Sequence, residues 1–239
     1  MVSNLKSDFV RGILHGFPIA LGYLSVSFGF GITAVASGLS VGEASAISAS
    51  NVTSAGQAAG VDIIAAGGTI IEMILVQLTI NIRYSLMGIS LSQKLDKSFT
   101  LPHRLIASFG ITDEIFAVCS AQPKPLTPFY MYGMILIAII GWVLGTFLGA
   151  SAGQLLPDAV SSALGIVLYG MFLAIIIPPS RKHRSVFCVV IIAALTSILF
   201  KYILTVISSG FAIIICAVAA SAFGALLFPL NDESEEKNK

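Results

Sequence analysis

The sequence predicts an all-α polytopic membrane protein with six full transmembrane helices and two re-entrant or broken helical segments, with eight crossings as the alternative. Three observations lead there. The chain is 56% hydrophobic and only 10% charged, with a mean hydropathy of +0.94, whereas a soluble domain has roughly a quarter of its residues charged. Apolar runs recur at about the 20-residue length that a bilayer core demands. Lysine and arginine cluster in particular loops, as the bias of cytoplasmic loops toward positive charge requires.

The first run, Gly16 to Ala36, follows Lys6 and Arg11 and so imitates a secretory signal. It exceeds the ~7–15 apolar residues of such a signal and reads as a retained span. Three more spans have full length: Ile63 to Ile82, Tyr130 to Gly149 and Ser185 to Ile207. Ala159 to Ile177 and Gly210 to Phe228 are shorter, and Pro178 and Pro229 close them. Residues 1–230 form a single transmembrane transporter domain, and 231–239 form a charged cytoplasmic tail expected to be disordered.

Two segments fit less well. Ala44 to Gly60 is built almost wholly of small or hydroxylated residues, and Leu105 to Gln122 contains the adjacent carboxylates Asp113 and Glu114. If both cross, the loop from Tyr84 to Arg104 faces outward with Lys94, Lys97 and Arg104, and Arg83 sits at its edge. If both re-enter, every lysine and arginine except Lys201 lies inside. The positive-inside rule therefore favours the re-entrant arrangement, and both termini are cytoplasmic in either case.

Composition also excludes. No basic block suits nucleic acid, and Cys119, Cys188 and Cys216 show neither a CxxC nor a Cys/His spacing. His15, His103 and His183 are scattered, and no hydrolase or phosphate-loop motif is present, so the chain reads as a non-enzyme without cofactor or metal. Gly141, Gly145, Gly149 and Gly153 stack on one helix face, a surface for close approach of another helix within this chain or of a separate subunit. Pro18 and Phe28-Gly29-Phe30-Gly31 weaken the first span, which reads either as a broken helix lining a central site or as a kinked packing helix.

The candidate pathway residues are polar groups in apolar context. Glu72 lies far from either end of its predicted span, where a carboxylate costs roughly 2.5–3.5 kcal/mol and must face protein or water. It is either a protonatable coupling group or a neutral structural one. Asn81, Arg83 and Tyr84 are placed at the cytoplasmic end of that helix, with Arg83 either reaching the headgroups or pairing with Asp113 or Glu114. Thr112, Asp113 and Glu114 form the expected tip of the second unusual segment, where the carboxylates meet water, Arg83 or Arg104.

A set of short motifs then appears in order: Gly16-x-Pro18-Ile19-x-Leu21-Gly22-Tyr23, Ser27-Phe28-Gly29-Phe30-Gly31, Gly38-Leu39-Ser40 and Glu43-Ala44. Ala55-Gly56-Gln57, Asn81-x-Arg83-Tyr84, Met87-Gly88-x-Ser90-Leu91 and Thr112-Asp113-Glu114-x-Phe116-Ala117 follow. Together they resemble the AzlC family, large subunits of two-component branched-chain amino acid exporters, over roughly Phe9 to Phe228. Many members have Ala-Ser-Gln where this chain has Ala55-Gly56-Gln57, so no serine role carries over. The resemblance implies a plasma-membrane permease exporting leucine, isoleucine, valine or analogues. It also implies a small AzlD-like membrane partner and coupling to the proton motive force. For such a substrate, Asn51, Ser54 and Gln57 beside exposed helix N-termini would hold the carboxylate, and Asp113 or Glu114 the ammonium or a proton.

Overall fold

The computed structural model describes residues 5–153 and 176–228, together with 157, 170 and 173. The described residues are helical, with no strands and one isolated bridge between Leu95 and Leu126. The helices are α1 (Leu5–Ala36), α2 (Val41–Ser50), α3 (Ser54–Ala65), α4 (Ile70–Ser92), α5 (Leu101–Phe109), α6 (Asp113–Ser120), α7 (Pro128–Gly153), α8 (Arg184–Tyr202) and α9 (Ser209–Leu227). Of these, α1, α4, α7, α8 and α9 are long and apolar enough to cross a membrane. The expected span from Ala159 to Ile177 and the tail from 231 lie largely or wholly outside the described residues.

The frame is the pair α1 and α7. Every glycine of the predicted stripe faces α1: Gly141 meets the Ala20 carbonyl, Gly145 that of Leu24, Gly149 that of Phe28, and Gly153 the Ile32 backbone. From the other side Gly12 meets the Tyr130 carbonyl and Gly31 that of Thr146. Residue numbers rise together along both helices, so the two run parallel. Helix association in lipid depends on close packing rather than on apolar burial, and glycine supplies the necessary proximity. This contact is the within-chain packing expected of the stripe. It also explains why α1 is neither broken at Pro18 nor at Phe28–Gly31, contrary to one sequence reading. Gly12, Gly16 and Gly31, which weaken an isolated helix, dock this one against α7.

The predicted span from Ile63 to Ile82 is corrected. Gly67, at φ +66°, ends the preceding turn, and the Thr69 side chain accepts from the Glu72 backbone N–H to start α4. Helix α4 therefore begins at Ile70 and continues to Ser92. Glu72 lies in its first turn rather than mid-span, and Asn81, Arg83 and Tyr84 lie mid-helix rather than at its end. A glycine pair and a threonine cap outweigh the continuity of apolar residues on which the sequence reading relied.

Both unusual segments are helix–break–helix hairpins. The first breaks at 51–53 between α2 and α3, and the second at 110–112 between α5 and α6. The ends of the first lie beside the ends of α1 and α7, where Ala34, Leu39, Ala44, Val61 and Ala150 form one apolar cluster. The ends of the second lie beside the start of α7. There Phe99 joins Leu126 and Tyr130 in a core cluster, and the Lys94 ammonium donates to the Ser120 and Gln122 carbonyls at the end of α6. The same corner receives the end of α4, since the Leu126 N–H donates to the Lys94 carbonyl at 2.8 Å. Helix α4 thus runs opposite to α1 and α7, and the outer ends of the two hairpins lie at opposite ends of that pair.

Candidate functional site

The tips of the hairpins meet halfway along α1, α4 and α7. A cavity of about 220 Å³ opens there, lined by Tyr23, Val52, Ser54, Ala55, Ile80, Arg83, Tyr84, Thr112, Asp113, Glu114, Trp142 and Ile176. It combines the first turns of two helices, one ion pair, one further carboxylate and an apolar wall.

Each tip is held by its own cap. Thr53 caps α3, accepting from the Gly56 N–H at 3.2 Å, and its hydroxyl donates to Asn81 Oδ1 at 3.0 Å. Asn81 Nδ2 donates to Gln77 Oε1 at 2.9 Å, and Gln77 Nε2 donates to the Gly56 carbonyl at 2.7 Å. Asn51 Nδ2 also reaches Gln77 Oε1, at 3.4 Å. This amide ladder fastens the first break to α4 and satisfies backbone groups that lipid cannot. On the second hairpin Thr112 caps α6, accepting from the Ile115 N–H at 3.4 Å. A helix N-terminus carries partial positive charge and unpaired N–H groups, so both tips favour an anionic group.

The ion pair joins α4 to α6. Arg83 Nη1 lies 2.8 Å from Asp113 Oδ2 and donates to Oδ1 at 3.0 Å. Nη2 donates to the Tyr84 hydroxyl at 3.1 Å, with the guanidinium 4.9 Å from that ring's centroid. Arg83 thus pairs with Asp113, one of its two expected roles, and both side chains stay about 40% exposed toward the cavity. Arg104 does not join them; its Nε donates to the Phe99 carbonyl. Glu114 has no cationic partner among the described residues. Its Oε2 accepts from the Tyr23 hydroxyl at 2.5 Å, and that hydroxyl oxygen also lies 2.5 Å from Thr112 Oγ1. Tyr23 has one proton, so with Glu114 ionised the Thr112 hydroxyl is the donor in the second bond. Glu114 thus adds a second carboxylate beside the Arg83–Asp113 pair.

Of the predicted pathway residues, Ser54, Arg83, Tyr84, Thr112, Asp113 and Glu114 line the cavity, and Asn51 and Asn81 brace it from the amide ladder. Gln57 stands behind the wall, fully buried, its Oε1 accepting from Trp142 Nε1 at 2.7 Å. Glu72 is elsewhere. It accepts from the Ser208 hydroxyl at 2.5 Å and the Gly210 N–H at 2.9 Å, which ties the start of α4 to the start of α9. Tyr23, Thr53, Gln77 and Trp142 were missed as site residues. Two signals were available: a tyrosine inside the first apolar span, and the chain's single tryptophan within the glycine-striped helix. No group of three or more potential metal ligands occurs among the described residues.

Comparison with known proteins finds membrane-protein relatives. An uncharacterized membrane protein of Archaeoglobus fulgidus is 34% identical over 182 residues, covering 74% of this chain and 78% of that protein. Inner membrane protein YgaZ of Escherichia coli is 27% identical over 187 residues, covering 75% of this chain and 76% of the relative. No solved structure matches. The sequence profile described as "AzlC protein" matches residues 18–156, which contain both hairpins and every charged group of the cavity. The chain belongs to the AzlC family of membrane proteins.

Proposed function

We propose that the chain is a permease subunit that exports branched-chain amino acids, namely leucine, isoleucine, valine or their analogues, and performs no enzymatic chemistry. One observation carries this reading: two helix N-termini, an Arg83–Asp113 pair and the carboxylate of Glu114, without a cationic partner among the described residues, surround one cavity of about 220 Å³. Its size lies just below the ~300–1,000 Å³ of pockets for drug-sized ligands, which suits a smaller solute. A zwitterion needs donors for its carboxylate and an anion for its ammonium. The first turns of α3 and α6 supply the former and Glu114 the latter. Val52, Ala55 and Ile80 offer an apolar surface to an aliphatic side chain. Export is coupled to the proton motive force, with Glu114 exchanging its proton for the substrate ammonium.

The same proposal places the protein in the plasma membrane with six full spans, both termini cytoplasmic, and a small AzlD-like membrane subunit as partner. The parallel course of α1 and α7, with α4 opposed, supports hairpins that enter and leave on one side each.

Liposomes loaded with leucine, containing the chain with or without an AzlD-like protein, test the reading under an imposed pH gradient. Saturable leucine, isoleucine and valine counterflow is expected. Glu114→Gln should lower it about 10–100-fold, the equivalent of one charge-assisted hydrogen bond. Wild-type rates in a correctly assembled Glu114→Gln protein remove that carboxylate from the mechanism. Absence of counterflow for all three amino acids overturns the substrate class.

A further inference from the structure

Trp142 sits midway along α7 and is 2% exposed, yet it forms part of the cavity wall. A buried indole requires an acceptor for its N–H. Gln57 supplies one at 2.7 Å, and Gln57 itself has no freedom to turn. Its Nε2 donates to Ser48 Oγ at 2.7 Å, and that hydroxyl pairs with Thr146 Oγ1 at 2.6 Å, one turn beyond Trp142 on α7. Gln57, Ser48 and Thr146 are all fully buried. The ring is also held from the side by Tyr23, edge-to-face at 5.1 Å between centroids and 75° between planes.

Two consequences follow. The only polar atom of the indole is committed to the protein interior, so what remains for the cavity is apolar surface. The ring is also immobilised by a closed set of bonds, so the wall it forms cannot retreat for a longer occupant. Tyr23, its neighbour, holds Glu114, which links the apolar wall rigidly to the charged end.

We infer that Trp142 determines which side chain the cavity accepts, setting an upper size limit that admits branched aliphatic groups and excludes aromatic ones, with Gln57 as the positioning residue that holds the ring. The inference rests on the amino acid reading above and deepens it. One methylene more or less in an apolar pocket changes discrimination by about 10–200-fold.

The measurement is the ratio of leucine to phenylalanine counterflow in the same vesicles, which is independent of how much protein is active. Trp142→Ala should lower that ratio by roughly tenfold or more. Trp142→Phe, which keeps a ring beside Tyr23, should lower it in the same direction by less, and it decides the matter where the alanine variant does not assemble. Because Trp142 is the only tryptophan, its fluorescence in the purified chain reports on the wall directly. Leucine should change the emission saturably. Gln57→Leu should shift the emission before any substrate is added and raise the half-saturating leucine concentration. Unaltered ratios in the variants that transport, or emission indifferent to leucine while the wild type transports it, overturn the inference alone. A wild type without leucine counterflow overturns the parent reading and this one with it.

Discussion

At the scale of single residues, the Arg83–Asp113 pair shows why an isolated charge and a coupled one behave differently. Removing one partner of a buried pair costs about 3–5 kcal/mol because the other charge is left uncompensated. Here both side chains are about 40% exposed, so screening reduces that figure. Arg83→Gln should destabilise the detergent-solubilised protein by about 1–2 kcal/mol. The double variant Arg83→Gln with Asp113→Asn should recover at least half of the loss. Thermal unfolding of the four proteins in a double-mutant cycle reads this coupling, and additive losses would show that the pair contributes no mutual stabilisation. Glu72 demands a separate account. Its bonds to Ser208 and Gly210 make it a tether for α9. Glu72→Gln should therefore lower thermal stability more than it alters the leucine to phenylalanine ratio.

At the scale of elements, the parallel packing of α1 on α7 depends on the absence of side chains at the crossing. An added Cβ at Gly141 or Gly149 would overlap the Ala20 or Phe28 carbonyl, both of them backbone atoms that cannot move alone. Overpacking of this kind costs about 1–3 kcal/mol. Gly149→Ala should therefore lower the unfolding midpoint by several degrees, at about 2–4 °C per kcal/mol for a chain of this size. Gly22→Ala is the matched control on α1, since nothing lies within 4 Å of its would-be Cβ. It should be neutral or stabilising by up to about 1 kcal/mol, because alanine favours the helix. An equal, neutral or stabilising effect at both positions would mean that helix propensity, not interhelical contact, governs these glycines.

At the scale of the whole molecule, the opposed hairpins make a prediction about sidedness. Residues 93–100, between α4 and α5, lie at the same end as the starts of α1 and α7. Gly67 lies at the other end, between α3 and α4. In a background without the native cysteines, Ser98→Cys should react with a membrane-impermeant maleimide only from the cytoplasmic side. Gly38→Cys, at the α1–α2 corner, should react only from outside. Labelling of position 98 from outside would overturn the re-entrant arrangement in favour of eight crossings. The hairpins also account for the location of the site. A continuous helix satisfies its own backbone throughout, whereas a break halfway along the helix bundle exposes donors that protein or solute must meet.

Much of this protein was legible before any coordinates. Hydropathy alone established a helical membrane protein, because lipid allows no other use for such long apolar runs. The spacing of glycines indicated a close helix contact, and runs of small residues and adjacent carboxylates in apolar context marked the two segments that prove to be broken. The chemistry of Thr112, Asp113 and Glu114 marked one of the two tips. The tertiary structure decided which partners these groups have. Arg83 and Asp113 are 30 positions apart and meet only because α4 and α6 pack together. Tyr23 reaches Glu114 across 91 positions, and Gln57 reaches Trp142 across 85. Helical periodicity predicts neighbours three or four residues apart on one face and says nothing of neighbours on different helices. For the same reason Glu72, set apart by sequence as readily as Asp113, proved to belong to another contact altogether. Local patterning specifies each helix and its breaks; which polar groups share a cavity depends on how the parallel pair α1 and α7 orients everything packed around it.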